Sequence, residues 1–187
     1  GGRSAADRRV RAARRALRTA GLSEAINYSM GEKEEGALFD PLGADPCALE
    51  NPLQAQASHL RTSLLPGLLR NVAHNINHGL EACHLFEIGT AFLRRDGRPE
   101  ERTAAAFVMS GRGLLSHWSL PVRETDLYDA LGAVDLLGEA LGKGTAALRG
   151  VFTTGNGCGC QLEVRLDVVL RTTKPCFQAR HERREQR

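Results

Sequence analysis

A chain of 187 residues, 42% hydrophobic and 25% charged, has the make-up of one globular domain and can bury roughly 70% of the surface its unfolded form exposes. No apolar run approaches the roughly 20 residues that cross a bilayer. The Arg- and Ala-rich start lacks the apolar segment of a secretory signal, so a chain without membrane is expected. The net charge of +3 is too small to define a partner, and five cysteines at irregular spacing argue for a reducing cytoplasm rather than a disulfide framework.

In chain order, Ala5 to Ala20 reads as a helix of good formers, with a thin stripe of Val10, Ala13, Leu17 and Ala20 and a stop at Gly21. Seven arginines against one aspartate fall in the first twenty residues, and four arginines against two glutamates in the last eight. Such clusters attract polyanions, although a solvated helix face and a frayed tail account for them as simply. Glu24 to Met30 alternates as a strand, with Ala25 or Ile26, Tyr28 and Met30 as its apolar set and the buried face left open. Glu32 to Phe39 can form a short helix. Pro41, Gly43, Asp45 and Pro46 mark a loop, and Ala48 to Glu50 a short strand.

The central stretch is Leu60-Arg61-Thr62-Ser63-Leu64-Leu65-Pro66-Gly67-Leu68-Leu69, preceded by Asn51-Pro52-Leu53. Pro52 biases Asn51 toward extended backbone. Thr62 and Ser63 are hydroxyl caps for a helix of about four turns, and Pro66 is tolerated in its first turn. Leu65, Leu68, Leu69, Val72 and Ile76 form its buried stripe, Asn71, His74 and Asn75 lie elsewhere on the wheel, and Gly79 ends it. A hairpin follows: Ala82 to Arg94, a turn at Asp96-Gly97, and Thr103 to Ser110. Within it, Gly89 marks a bulge or a close backbone approach. Trp118, in the loop from Gly111 to Glu124, is expected to pack. Asp126 caps a last helix with Asp129 in its first turn, burying Leu127, Ala130, Leu131, Val134, Leu137 and Leu141 before Gly142. From about Gly150 the character changes, dividing the chain into 1–149 and a divergent or poorly ordered 150–187. In that tail Leu162 to Leu170 alternates as a strand.

Few residues offer chemistry. Cys158, Cys160, Cys176 and His181 supply three thiols and an imidazole, but one residue between Cys158 and Cys160 is not the usual zinc spacing. The glycines from Gly155 to Gly159 lack the Lys-Ser/Thr ending of a phosphate loop. His74 and His78 stand i, i+4 without the glutamate or third ligand of a helical zinc site. Ser63 lacks the elbow of a serine nucleophile, and no carboxylate pair stands out as an acid–base couple. No catalytic, cofactor-binding or metal residue is expected.

Four runs, in order, resemble the beta subunit of bacterial phenylalanine–tRNA ligase. They are Gly21-Leu-Ser-Glu-Ala-Ile-Asn-Tyr-Ser-Met30, Asn51-Pro-Leu with the central stretch, Leu85-Phe86-Glu87-Ile88-Gly89 with Phe92, and Asp126-Leu-Tyr-Asp-Ala-Leu-Gly-Ala-Val-Asp-Leu-Leu137. In the last, Leu131 stands where the family usually has Lys. The resemblance covers roughly Arg8 to Gly142 and implies an α+β fold like that of a class II aminoacyl-tRNA synthetase, an antiparallel sheet flanked by helices that does not itself catalyse. Thr90 follows Gly89 where the second class II motif would place an arginine for the ATP α-phosphate, and a hydroxyl cannot make that bidentate contact. By implication the partner alpha subunit carries ATP and Mg²⁺, the assembly is two alpha and two beta chains, and tRNA meets the full complex. The subunit contact expected from the resemblance uses Arg61, Thr62, Ser63 and Pro66, with Leu65, Leu68, Leu69, Phe86, Ile88 and Phe92 in the core. The alternative is a basic RNA-binding module without enzymatic role.

Overall fold

Helix α1 spans Ala5–Thr19, opened by a capping box in which Ser4 and Asp7 bond each other's backbone N–H, and Gly21 beyond its end takes φ 84°. Ala13, Ala16 and Leu17 form its buried side. The computed structural model describes residues 4–35, 46–52, 54, 57–95, 98–113, 118–119, 122–142, 148–153 and 159–165, with the backbone alone for 95, 98–99, 148–153 and 159–165.

After α1 the chain lays down β1 (Ser23–Glu24), β2 (Met30–Gly31), β3 (His59–Leu60), helix α2 (Leu65–Asn77), the hairpin β4 (Ala82–Arg95) and β5 (Arg98–Gly111), helix α3 (Leu127–Leu141), β6 (Leu148–Thr153) and β7 (Gly159–Arg165). Five strands join one sheet in the order β1-β4-β5-β7-β6, and β2 pairs with β3 apart from it. The sheet is antiparallel except at its edge, where β1 runs parallel to β4 through Ser23↔Leu85 and Glu24↔Phe86. The expected strand from Glu24 to Met30 is therefore two short pairings joined by chain outside any strand. Because β6 and β7 extend the same sheet, it runs through the expected division at residue 150. Gly36 to Phe39, Asp96-Gly97 and Cys158, together with 166–187, fall outside the described residues.

Side chains alternate across each strand, so the sheet carries two cores. On one face Phe86, Ala105, Phe107 and Met109 pack with Ala13, Leu17 and Leu22 and with Ala130, Ala133 and Leu137 of α3. On the other, Cys83, Ala104, Ala106 and Val108 pack against Leu64, Leu65, Leu68 and Val72 of the α2 region. The run Ala104-Ala105-Ala106 puts small side chains on both faces of the central strand, which lets helices approach closely from either side.

The last helix behaves as its sequence predicts at the N-terminus: Asp126 accepts from Tyr128 N and Asp129 N, while Asp129 accepts from Asp126 N. Its buried face is narrower than expected, with Leu131 42% exposed where Ala133 packs instead. Trp118, expected to pack, is 93% exposed. Among the described residues no helix is long and apolar enough to cross a membrane.

Candidate functional site

Residues separated widely in the chain converge where the start of α2 meets β4. The backbone holds Arg61 in place from two sides: its N–H donates to Ser29 O at 3.0 Å, and Phe92 N–H donates to its carbonyl at 2.8 Å. Its side chain then lies along β4, with Nη1 2.6 Å from Glu87 Oε1 and Nε donating to Thr90 O at 2.9 Å. The Arg61 side chain is only 11% exposed and that of Glu87 3%, so both charges are out of water.

Glu87 is satisfied on its other side by Asn27, whose backbone N–H reaches Oε1 at 3.3 Å and whose Nδ2 reaches Oε2 at 2.8 Å. Asn27 Oδ1 accepts from Asn71 Nδ2 of α2 at 2.9 Å, and Asn75 Nδ2 donates to Asn71 O at 2.7 Å. A buried ion pair is tolerable only when such additional hydrogen bonds absorb the remaining donors and lone pairs. Here Asn27 and Thr90 O supply such bonds, and the network ties α2, β4 and the segment before β2 to one another.

Two glycines make room for this network. A Cβ at Gly89 would stand 2.4 Å from Arg61 Nη2, and one at Gly67 would stand 2.9 Å from Asn27 Cγ. The expected bulge at Gly89 is absent, since β4 and β5 pair one to one through Gly89↔Ala104. Its other expected reading, a close approach, is what occurs, by a guanidinium rather than by backbone.

Thr62 and Ser63 are 6% and 4% exposed, which places them inside the fold. The cap position of α2 is Leu64, without a capping side chain; Ser63 Oγ accepts from Leu65 N–H at 3.2 Å, and buried Thr62 Oγ1 has no partner among the described residues. Arg61, Thr62, Ser63 and Pro66 nevertheless line one shallow depression, rimmed by Tyr28, Met30 and Arg70. The Arg70 guanidinium pairs with Glu35 there. The sequence reading missed Asn27 as a partner of Glu87 and Asn71 as the partner of Asn27; the available signal was a carboxylate inside the apolar run Leu85 to Ile88, which a buried strand can hold only if it is paired.

The segment leading into β2 is inverted relative to a soluble edge. Asn27 turns its side chain inward to Glu87 and the Ser29 carbonyl accepts from Arg61 N–H, while Ile26 and Tyr28 are 91% and 87% exposed and Met30 38%. His74 and His78 stack at the end of α2 with ring centroids 4.1 Å apart, and no group of three metal-ligating side chains exists among the described residues. Cys160 lies in β7 with only its backbone described, while Cys158, Cys176 and His181 lie outside the described residues.

A sheet of this order with helices on both faces is a class II tRNA synthetase-like fold. The same architecture recurs in a pyrrolysyl tRNA synthetase of Desulfitobacterium hafniense, PylSc, with TM-score 0.62 over 88% of this chain and 65% of that one at 14% identity. It recurs too in an ATP phosphoribosyltransferase regulatory subunit/histidyl-tRNA synthetase of Bacillus halodurans, with TM-score 0.53 over 78% and 37% of the two chains at 14% identity. The family model of the phenylalanyl tRNA synthetase beta chain CLM domain matches residues 1–156, and the chain belongs to that family. The phenylalanine–tRNA ligase beta subunit of Anaeromyxobacter dehalogenans is 40% identical over 146 residues, 74% of this chain and 18% of that relative. The Vibrio cholerae beta subunit is 35% identical over 130 residues, 67% of this chain and 16% of its own length. The chain thus spans less than a fifth of the length of these relatives.

Proposed function

We propose that this domain is a synthetase-like scaffold, without an active site of its own, that docks the alpha subunit of phenylalanine–tRNA ligase in the cytoplasm. ATP, Mg²⁺ and the activation of phenylalanine belong to that partner, and tRNA is charged by an assembly of two alpha and two beta chains. The observation that carries the reading is the inverted segment: Ile26, Tyr28 and Met30 face water while the Asn27 side chain faces inward. Aromatic and methionine side chains grouped on a surface are what a protein partner covers. Tyr28, Met30 and Pro66 form the contact around the depression, whereas Arg61, Thr62 and Ser63 make its floor and hold its shape.

The chemistry of the floor supports the absence of nucleotide activation here. Arg61, a cation against β4, already directs Nη1 to Glu87 and Nε to Thr90 O, so those donors are not offered to a phosphate. Sedimentation velocity of the chain mixed with the alpha subunit is expected to show a complex, weakened at least tenfold by Tyr28→Ser with Met30→Ser. Wild-type chain with native circular dichroism that forms no complex contradicts the proposal. So does phenylalanine-dependent ATP–pyrophosphate exchange by the chain alone.

A further inference from the structure

The outer face of α1 lies away from both cores and from the proposed subunit contact. Arg8, Arg11, Arg15 and Arg18 recur at i, i+3, i+7 and i+10, on the side opposite buried Ala13, Ala16 and Leu17, and all four are exposed. At 1.5 Å per residue they form a ridge about 15 Å long. Glu24 engages Arg14 at 2.7 Å and Arg18 at 2.8 Å. Asp7 is turned to its own helix cap through Ser4. Arg11 and Arg15, one turn apart, have no acidic partner among the described residues.

We propose that this ridge binds the ribose-phosphate backbone of RNA, independently of base sequence. Every cation on it is arginine, whose planar fork matches phosphate oxygens bidentately and is weakly hydrated. Neighbours one turn apart are about 5–6 Å from each other, a spacing that presents successive guanidinium groups to an extended polyanion. An acidic protein surface is the weaker match: protein interfaces concentrate aromatic and apolar residues and shed charge at their centre, and this face offers none of the former. Nucleic-acid interfaces are polar and strongly positive, as this one is. The inference rests on the scaffold reading only in choosing RNA over other nucleic acids.

The test is fluorescence anisotropy of a labelled tRNA transcript titrated with the chain across a salt series, for wild type and for Arg11→Gln with Arg15→Gln. The logarithm of the wild-type affinity is expected to fall linearly with log salt, and the variant to lose affinity several-fold at low salt and to flatten that slope by roughly 1.5. Polyglutamate of matched charge is expected not to displace the RNA. Absent tRNA binding at low salt, unchanged binding by the variant, or equal displacement by polyglutamate each overturns the proposal, the last by making the ridge an acidic-protein dock. Both arginines are exposed and have no acidic partner among the described residues, so the variant is expected to fold, which circular dichroism checks. Sedimentation of the same variant with the alpha subunit separates the two readings: a retained complex with lost RNA binding refers to this ridge, and a lost wild-type complex with retained RNA binding overturns only the scaffold.

Discussion

The two faces of the central sheet are built on different physics. The face under α1 and α3 is closed mainly by apolar contact, with Phe86, Phe107 and Met109 at its centre and Glu24 bonded to Arg14 and Arg18 at its edge. The face under α2 has its own apolar patch but ends in a buried polar chain from Asn71 through Asn27 and Glu87 to Arg61. Apolar packing tolerates substitutions of similar volume, whereas a desolvated ion pair fails sharply when one member is removed. The first face therefore supplies stability, and the second specifies how the segment bearing Tyr28 sits against the sheet.

That contrast is open to direct attack. Glu87→Gln strands a buried guanidinium and is expected to cost about 3–5 kcal/mol, read from urea denaturation of the chain. On the other face, Phe86→Ala opens a cavity at a fully buried position and is expected to cost a similar roughly 3–5 kcal/mol; there, Phe86→Leu should recover much of the loss, with no equivalent rescue for Glu87→Gln. Gly89→Ala drives a methyl into the Arg61 guanidinium and is expected to cost about 1–3 kcal/mol. Most of that cost should vanish in an Arg61→Met background, and an undiminished cost would locate the strain elsewhere.

The capping box of α3 gives the smallest effect. Asp126→Ala removes the acceptor for two first-turn N–H groups and is expected to cost about 1 kcal/mol. Asp129 holds its carboxyl below the ordinary carboxylate range, first through the hydrogen bond from Arg123. The folded chain binds that proton less readily than the unfolded one, so the contribution is complete above the ordinary value of about 3.9 and is lost as pH falls through the lowered one. Asp129→Asn should flatten the acid limb of a stability–pH curve, and an unchanged limb would remove Asp129 from the account.

Local signals made much of this legible. Asp126, Gly21 and Gly79 punctuate helices because caps and left-handed glycines act over three or four residues, and the hairpin of β4 and β5 follows from alternation around a turn. The residues that resemble the family were legible as motifs and opaque as mechanism. Asn27 and Glu87 are 60 positions apart, and Arg61 and Glu87 are 26, a range no periodicity spans. Thr62 and Ser63 have the types of exposed caps, yet the floor of the depression buries them. Tyr28 and Met30 are ordinary strand residues whose outward direction depends on where Asn27 finds its partner.

The central claim is that Arg61 and Glu87 serve each other rather than a ligand. A double-mutant cycle of Arg61→Met and Glu87→Met, read by urea denaturation, tests it most directly. The account predicts that each single change costs about 3–5 kcal/mol while the double variant loses far less than their sum. Two small, additive losses would contradict it.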